Sequence, residues 1–263
     1  MFKLRGNVEV VSVHDSPYYH EGGLLNAVYM KFIYERIKRI KYIVTQTTAL
    51  KNDLIRYGFR GKMYTVPLAI SEKFRKLEED KEKIRKKYNL PVSKKLALSV
   101  SSTLPRKNLG VIGKTMRLLG DDWKLIRVGS PVHNSITFSN ISDTELNEIY
   151  NASDVLLFPS LYEGFGLPIV EAFASGLPVV TSDIPTIREV TGDAAVLVDP
   201  QDPTSVGKGV LKAEENHDLL VKKGLERSKN FTRERFRERL LNVYDDIAAR
   251  ENMDLNLGKI RSE

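Results

Sequence analysis

The 263 residues are enough to bury a core without covalent staples, in one large domain or two ordinary ones. The absence of cysteine excludes a disulfide framework, a thiolate metal site and a cysteine nucleophile, and it fits a reducing compartment. The net charge of +7 is concentrated: residues 1–70 hold 11 Lys/Arg against 5 Asp/Glu. Such a basic stretch suits a phosphorylated substrate, an anionic membrane surface, nucleic acid or plain solvation. No recognised nucleic-acid-binding motif accompanies it, so nucleic acid is not an expected partner. No apolar run is long enough to span a bilayer and no leader pattern opens the chain, so a soluble cytoplasmic protein is expected.

Short β-branched runs alternate with helical patterns along the chain. Strands are predicted at Val8–Val13, Tyr42–Thr45, Met63–Val66, Leu96–Val100, Lys124–Val128, Asp154–Phe158, Pro178–Thr181 and Ala195–Val198. Between the first two, Met30, Ile33, Ile37 and Ile40 form an apolar stripe beside Lys31, Arg36, Lys38, Arg39 and Lys41. That pattern fits an interfacial helix on a membrane or an ordinary helix on a sheet. Residues 71–91 are dense in charge at helical spacing and read as an exposed helix and linker. A helix is predicted from Asn108, as N-cap, to Leu119, with Gly120 past its end. Ser142-Asp-Thr-Glu145 is a capping box, and Pro168 and Pro185 open two further helices. From Thr232 to about Arg250, Phe236, Leu240, Val243, Tyr244 and Ile247 share a helical stripe, and the last dozen residues read as frayed. Alternating strands and helices predict parallel sheets with right-handed crossovers. His20 and His133 have no metal-ligand spacing and read as surface residues.

The most specific segment is Glu163-Gly-Phe-Gly-Leu-Pro-Ile-Val-Glu171. It sets two carboxylates on either side of a glycine turn and the first turn of a helix. A helix N-terminus favours an anion, and carboxylates accept charge-assisted hydrogen bonds from sugar and ribose hydroxyls. The segment therefore reads as a sugar-nucleotide cradle.

In its wider context, Phe158 to Thr181, this segment resembles the signature of retaining, nucleotide-sugar-dependent glycosyltransferases of group 1 (family 4 type). Thr45–Ile55, Val66–Ile70, Pro105–Asn108 and Ser182–Ala195 also resemble that family. The resemblance implies an α/β fold of GT-B type: two Rossmann-like parallel-sheet domains facing a cleft, the N-terminal one truncated. The implied organisation is a shortened acceptor-side domain over 1–70, a linker over 71–91, a nucleotide-sugar domain over 92–231 and a C-terminal helix over 232–263 that packs back on the first domain.

It also implies roles. Glu163 contacts donor-sugar hydroxyls and Glu171 holds the ribose. Backbone at Gly164, Phe165, Gly166 and Leu167 meets phosphate and sugar oxygens. Lys107 and Arg106 neutralise the diphosphate, Thr137 and Phe138 border the base, and His14 faces the donor across the cleft. His14, after an apolar strand, also reads as a buried core histidine. Ser101-Ser102 stands where the family commonly has Gly-Arg, which leaves either Arg106 to compensate or a weaker hold on the donor. There is no Asp-x-Asp, so no metal and no other cofactor is expected. The implied partners are a nucleotide-sugar donor, an acceptor hydroxyl on a sugar, lipid or protein, peripheral contact with a membrane, and a second copy of the chain. The alternative is a nucleotide-sugar-binding protein that transfers little alone and needs a partner to complete the acceptor half.

Overall fold

The computed structural model describes residues 2–4, 8–17 and 24–252; the readings of His20 and of the chain end beyond 252 lie outside them. The chain forms two compact units, Met1–Ala69 with Arg233–Glu263, and Ile70–Thr232.

The first unit holds a four-stranded sheet in the order β1 (Phe2–Leu4), β2 (Val8–Val13), β3 (Tyr42–Thr45), β4 (Lys62–Thr65). The last three strands are parallel and β1 pairs antiparallel with β2. α1 (Leu24–Ile37) and α2 (Thr48–Tyr57) are the crossovers. Thr47 caps α2 by accepting from the Leu50 amide, and Gly58 ends it at φ +101°. Successive strand residues face opposite sides: Ile43 meets Val13, Tyr34, Leu54, Phe59 and Met63, whereas Tyr42 and Val44 face the other layer. The stripe offered as a membrane face is used here, because Met30, Ile37 and Ile40 pack into the cluster around Ile43. Among the side chains of α1 that are described, the large apolar ones left exposed are Val28, Tyr29 and Phe32, at 60, 61 and 66%.

The second unit is built on a six-stranded parallel sheet. In chain order it contains α3 (Lys81–Lys87), β5 (Lys95–Ser101), α4 (Leu109–Leu119), β6 (Trp123–Gly129), β7 (Ser135–Phe138), α5 (Asp143–Ala152) and β8 (Val155–Phe158). There follow α6 (Leu167–Ala174), β9 (Val179–Ser182), α7 (Pro185–Thr191), β10 (Val196–Val198), α8 (Pro203–Glu215) and α9 (His217–Ser228). The strand order is β10-β9-β8-β5-β6-β7. One face packs Leu96, Leu98, Ile126 and Leu156 against Ile149 and Tyr150 of α5 and Ile169 and Phe173 of α6. The other packs Ala97, Leu125, Leu157 and Val180 against Ile112 of α4 and Val206 and Val210 of α8. Helices on both faces make this a doubly wound sheet, whose order reverses between β5 and β8. In such sheets ligands bind outside the carboxyl ends of the strands at that reversal.

Residues 71–91 differ from the exposed linker that their charge predicts. Only Lys81–Lys87 is helical, and Phe74, Ile84 and Leu90 lie in the core. Arg85 is 6% exposed, donating to Asp154 at 2.7 Å and to the Ala152 carbonyl at 2.9 Å. Asp154 also accepts from Lys81 and the Leu96 amide, so the pair locks this segment onto the start of β5. The run of charges conceals apolar residues that face the core.

The last helix, α10 (Arg233–Glu251), belongs to the first unit. Val243 and Ile247 join Val10, Tyr42, Val44 and Val66 in one cluster, with Phe236 half-buried beside it. Tyr64 donates to Asp246, and Tyr42 and Lys41 donate to Glu251.

Candidate active site

Two loops meet at the carboxyl ends of β5 and β8. The first carries Arg106 and Lys107 in a short 3-10 turn, Pro105–Lys107. The second runs from Pro159 to Gly166. They are joined by the Leu161 amide, which donates to the Arg106 carbonyl at 2.8 Å. Thr181 and Ser182 of β9 support the second loop, donating to the Phe158 and Ser160 carbonyls at 2.8 and 2.5 Å.

Asn108 does not cap α4 through its side chain. It sits at φ +58°, and its amide donates to the Pro159 carbonyl at 3.0 Å and the Pro200 carbonyl at 2.6 Å. It thereby ties together the loops after β5, β8 and β10. Asparagine tolerates the left-handed conformation that this turn needs.

Glu163 is 5% exposed and belongs to a charge cluster whose two cations are half-buried. Its Oε1 accepts from Lys107 Nζ at 2.6 Å, and its Oε2 lies 3.5 Å from Arg106 Nη1. Lys107 Nζ also stands 5.4 Å from the centre of the Phe158 ring. The cations stand beside the N-terminus of α6, whose dipole carries the same sign.

Gly166 opens α6 at φ +95°, and a Cβ there would come within 3.1 Å of Ile169 Cδ1 and 3.2 Å of Ile187 Cδ1. Pro168 stands in the first turn. Phe165 is buried, edge-to-face with Phe231 at 5.5 Å, and this anchors the turn between Gly164 and Leu167.

Glu171, half-buried on α6, is not part of the Glu163 cluster. Its Oε2 accepts from the Tyr150 hydroxyl at 2.8 Å. Burial pushes its carboxyl up to about 7; the Tyr150 hydrogen bond opposes this and Asp143 adds to it. Tyr150 is fully buried, and the same burial holds its phenol well above the usual range. Tyr150 is a partner of Glu171 that the sequence did not disclose: on an amphipathic helix an aromatic residue reads as core.

Thr137 and Phe138 end β7, the edge strand next to β6, a strand absent from the sequence prediction. Phe138 packs edge-on against Tyr88 at 5.9 Å, and the Thr137 and Ser135 hydroxyls are 2.9 Å apart. His14 belongs to the first unit. It is exposed just past β2, with Nε2 3.1 Å from Ser12 Oγ, and so is not a core histidine. Among the described residues no group of three His, Asp or Glu side chains is arranged to hold a metal ion.

The doubly wound sheet, with the candidate site at its strand reversal, defines a Rossmann-like architecture, and solved GT-B glycosyltransferases share the fold. Sucrose-phosphate synthase (tll1590) from Thermosynechococcus elongatus aligns with a TM-score of 0.77 at 18% identity, covering 91% of this chain and 68% of that one. Anabaena Alr3699/HepE, solved in complex with UDP and glucose, aligns with a TM-score of 0.75 at 15% identity, covering 92% and 71%.

The description "Glycosyl transferases group 1" matches residues 80–235, more than half of the chain, and the protein belongs to that family. O-antigen chain mannosyltransferase RfbU of Salmonella typhimurium is 28% identical over 239 residues, 81% of this chain and 62% of the relative. O-antigen chain mannosyltransferase B of Escherichia coli is 27% identical over 261 residues, 89% of this chain and 68% of the relative. The chain thus spans about two-thirds of the length of these relatives.

Proposed function

We propose that this protein is a retaining glycosyltransferase that moves a hexose from a nucleoside-diphosphate sugar to an acceptor hydroxyl without a metal ion. The observation that carries the reading is the half-buried Arg106–Lys107–Glu163 cluster at the strand reversal, beside the N-terminus of α6. Lys107 and Arg106 neutralise the diphosphate as it leaves. Amides at Phe165, Gly166 and Leu167 receive phosphate and sugar oxygens. Glu163 keeps Lys107 and still accepts from donor-sugar hydroxyls, because a carboxylate has about four acceptor sites. Glu171 takes the ribose hydroxyls, Thr137 and Phe138 border the base, and His14 serves the acceptor side.

In the transfer, the bond between the anomeric carbon and the diphosphate oxygen breaks. The acceptor oxygen bonds to that carbon on the same face, and its proton passes to the departing phosphate. Fixed cations and positioning supply the rate enhancement. The named relatives make a mannosyl donor the first to test, and HepE's ligands make UDP-glucose the second.

The test is turnover. The chain is incubated with mannose and glucose nucleotides of guanosine, uridine and adenosine, with chelator present, and nucleoside diphosphate release is followed. One donor is expected to be consumed, giving an α-linked product or the free sugar. Binding without release from any donor would favour the alternative, a donor-binding protein completed by a partner.

Peripheral membrane contact is supported by Val28, Tyr29 and Phe32, exposed on α1 beside Lys31, Arg36 and Arg39. No helix among the described residues is long and apolar enough to cross a membrane. The chain is expected to float with vesicles containing anionic lipid and Phe32→Asp to reduce that fraction severalfold; equal flotation with neutral vesicles would reject an electrostatic contribution.

A further inference from the structure

Arg127 of β6 is fully buried and pairs in register with Ser99 of β5. Its Nε donates to the Ser130 carbonyl at 3.2 Å. Its Nη1 donates to the Ser99 carbonyl at 3.1 Å, Ser99 Oγ at 3.0 Å and Ser101 Oγ at 3.1 Å, and its Nη2 to the Ser101 carbonyl at 2.8 Å. Every partner is a neutral oxygen. A guanidinium stays charged in proteins, so one positive charge is buried here without a counter-ion among the described residues. Burial pulls its pKa down, and no neighbouring charge opposes that.

Burying an unpaired charge is costly, and carbonyl and hydroxyl dipoles offset that cost without cancelling the charge. The place is built for it. Ser99 and Ser101 face the guanidinium from a strand whose preceding residue on that side is the core Ala97. At Gly129, φ +125°, a Cβ would lie 2.2 Å from the Ser101 carbonyl oxygen and 3.1 Å from Arg127 Nη2. Arg127 therefore fixes the carboxyl end of β5 and the turn after β6. The loop that leaves Ser101 carries Arg106 and Lys107 to Glu163.

We propose that Arg127 is a positioning residue for the donor's diphosphate: it sets the 101–107 loop and adds a fixed positive charge that makes this edge of the sheet prefer two phosphates to one. The proposal rests on the nucleotide-sugar reading above and assigns a further residue to it.

The experiment measures affinities of the wild-type chain, Arg127→Gln, Arg127→Lys and Ser99→Asp for UDP, GDP and ADP and for UMP, GMP and AMP by calorimetry. Ser99→Asp supplies the missing counter-ion while leaving the guanidinium in place. Arg127→Gln and Ser99→Asp are expected to lower the diphosphate-over-monophosphate preference about tenfold, the scale of one weakly screened charge. Arg127→Lys, which retains the charge, is expected to keep most of that preference. A role in folding alone would move melting temperature without moving the ratio. If the wild-type chain prefers diphosphates and both neutralising variants keep that preference, Arg127 has no such role. If Arg127→Gln does not fold, Ser99→Asp decides. A wild-type chain that binds none of the six nucleotides overturns the nucleotide-sugar reading, and this proposal with it.

Discussion

Lys107→Ala is expected to lose stability and turnover together, and only the stability is expected to return in a double variant. Lys107 and Glu163 side chains are 12 and 7% exposed and 2.6 Å apart. Removing one partner of a buried pair typically costs about 3–5 kcal/mol, because the remaining charge is left uncompensated. Arg106, 3.5 Å from the other carboxylate oxygen, remains as a partial partner, so about 2–3 kcal/mol is expected. Lys107→Met with Glu163→Gln removes both charges and restores most of that loss. Turnover is expected to fall by about a hundred- to a thousandfold in both variants, the usual effect of deleting one preorganised electrostatic stabiliser. Chemical denaturation and nucleotide-release kinetics on the three proteins separate the effects. A Lys107→Ala chain of unchanged stability would show that the pair does not exist in solution.

The second large effect is on pH dependence. Glu171 titrates near 7 in the folded protein against an ordinary value of 4.5. The folded state therefore holds its proton more tightly than the unfolded chain. The stability from this group is fully present below pH 4.5 and is lost as pH rises through about 7. Ribose hydroxyls are best accepted by the ionised carboxylate, so binding draws on the ionised fraction. That fraction falls about tenfold between pH 8 and pH 6 for a group titrating near 7, and nucleotide affinity is expected to fall with it. Glu171→Gln is expected to bind more weakly and without that dependence. Tyr150→Phe removes the one hydrogen bond that favours the ionised form, so the midpoint is expected to move upward. An affinity flat from pH 6 to pH 8 in the wild-type chain would contradict the assignment of Glu171.

Much of the second unit was legible because strands covered on both faces are written as apolar runs, as in Leu96-Ala-Leu and Val155-Leu-Leu-Phe158. β7 was missed because Ser135-Ile-Thr-Phe138 is a half-buried edge with no such run. β1 was missed because it is three residues long with a lysine at its centre. The helix over Lys81–Lys87 was legible as a helix, but not its burial: Ile84 and Arg85 face inward from a run of surface charges. The two glutamates stood out because the glycines and proline around them report backbone geometry. The Tyr150 hydroxyl on Glu171 and the tie that Asn108 makes to the Pro159 and Pro200 carbonyls did not, since Tyr150 and Asn108 carry ordinary signals of core and cap. The arginine expected beside Ser101 is likewise absent from that strand, yet a guanidinium reaches Ser101 from β6. No spacing rule links residues 101 and 127, which only the parallel register of β5 and β6 brings together.

The most direct measurement is a calorimetric titration of the wild-type chain and Glu171→Ala with the nucleoside diphosphates of uridine, guanosine and adenosine and their sugar conjugates. The wild-type chain is expected to bind one nucleotide series with micromolar affinity, and Glu171→Ala to bind that series at least tenfold more weakly while remaining folded. Equal affinity in the two proteins, or binding to none of the series, would contradict the assignment of the Glu163–Glu171 segment as a sugar-nucleotide cradle.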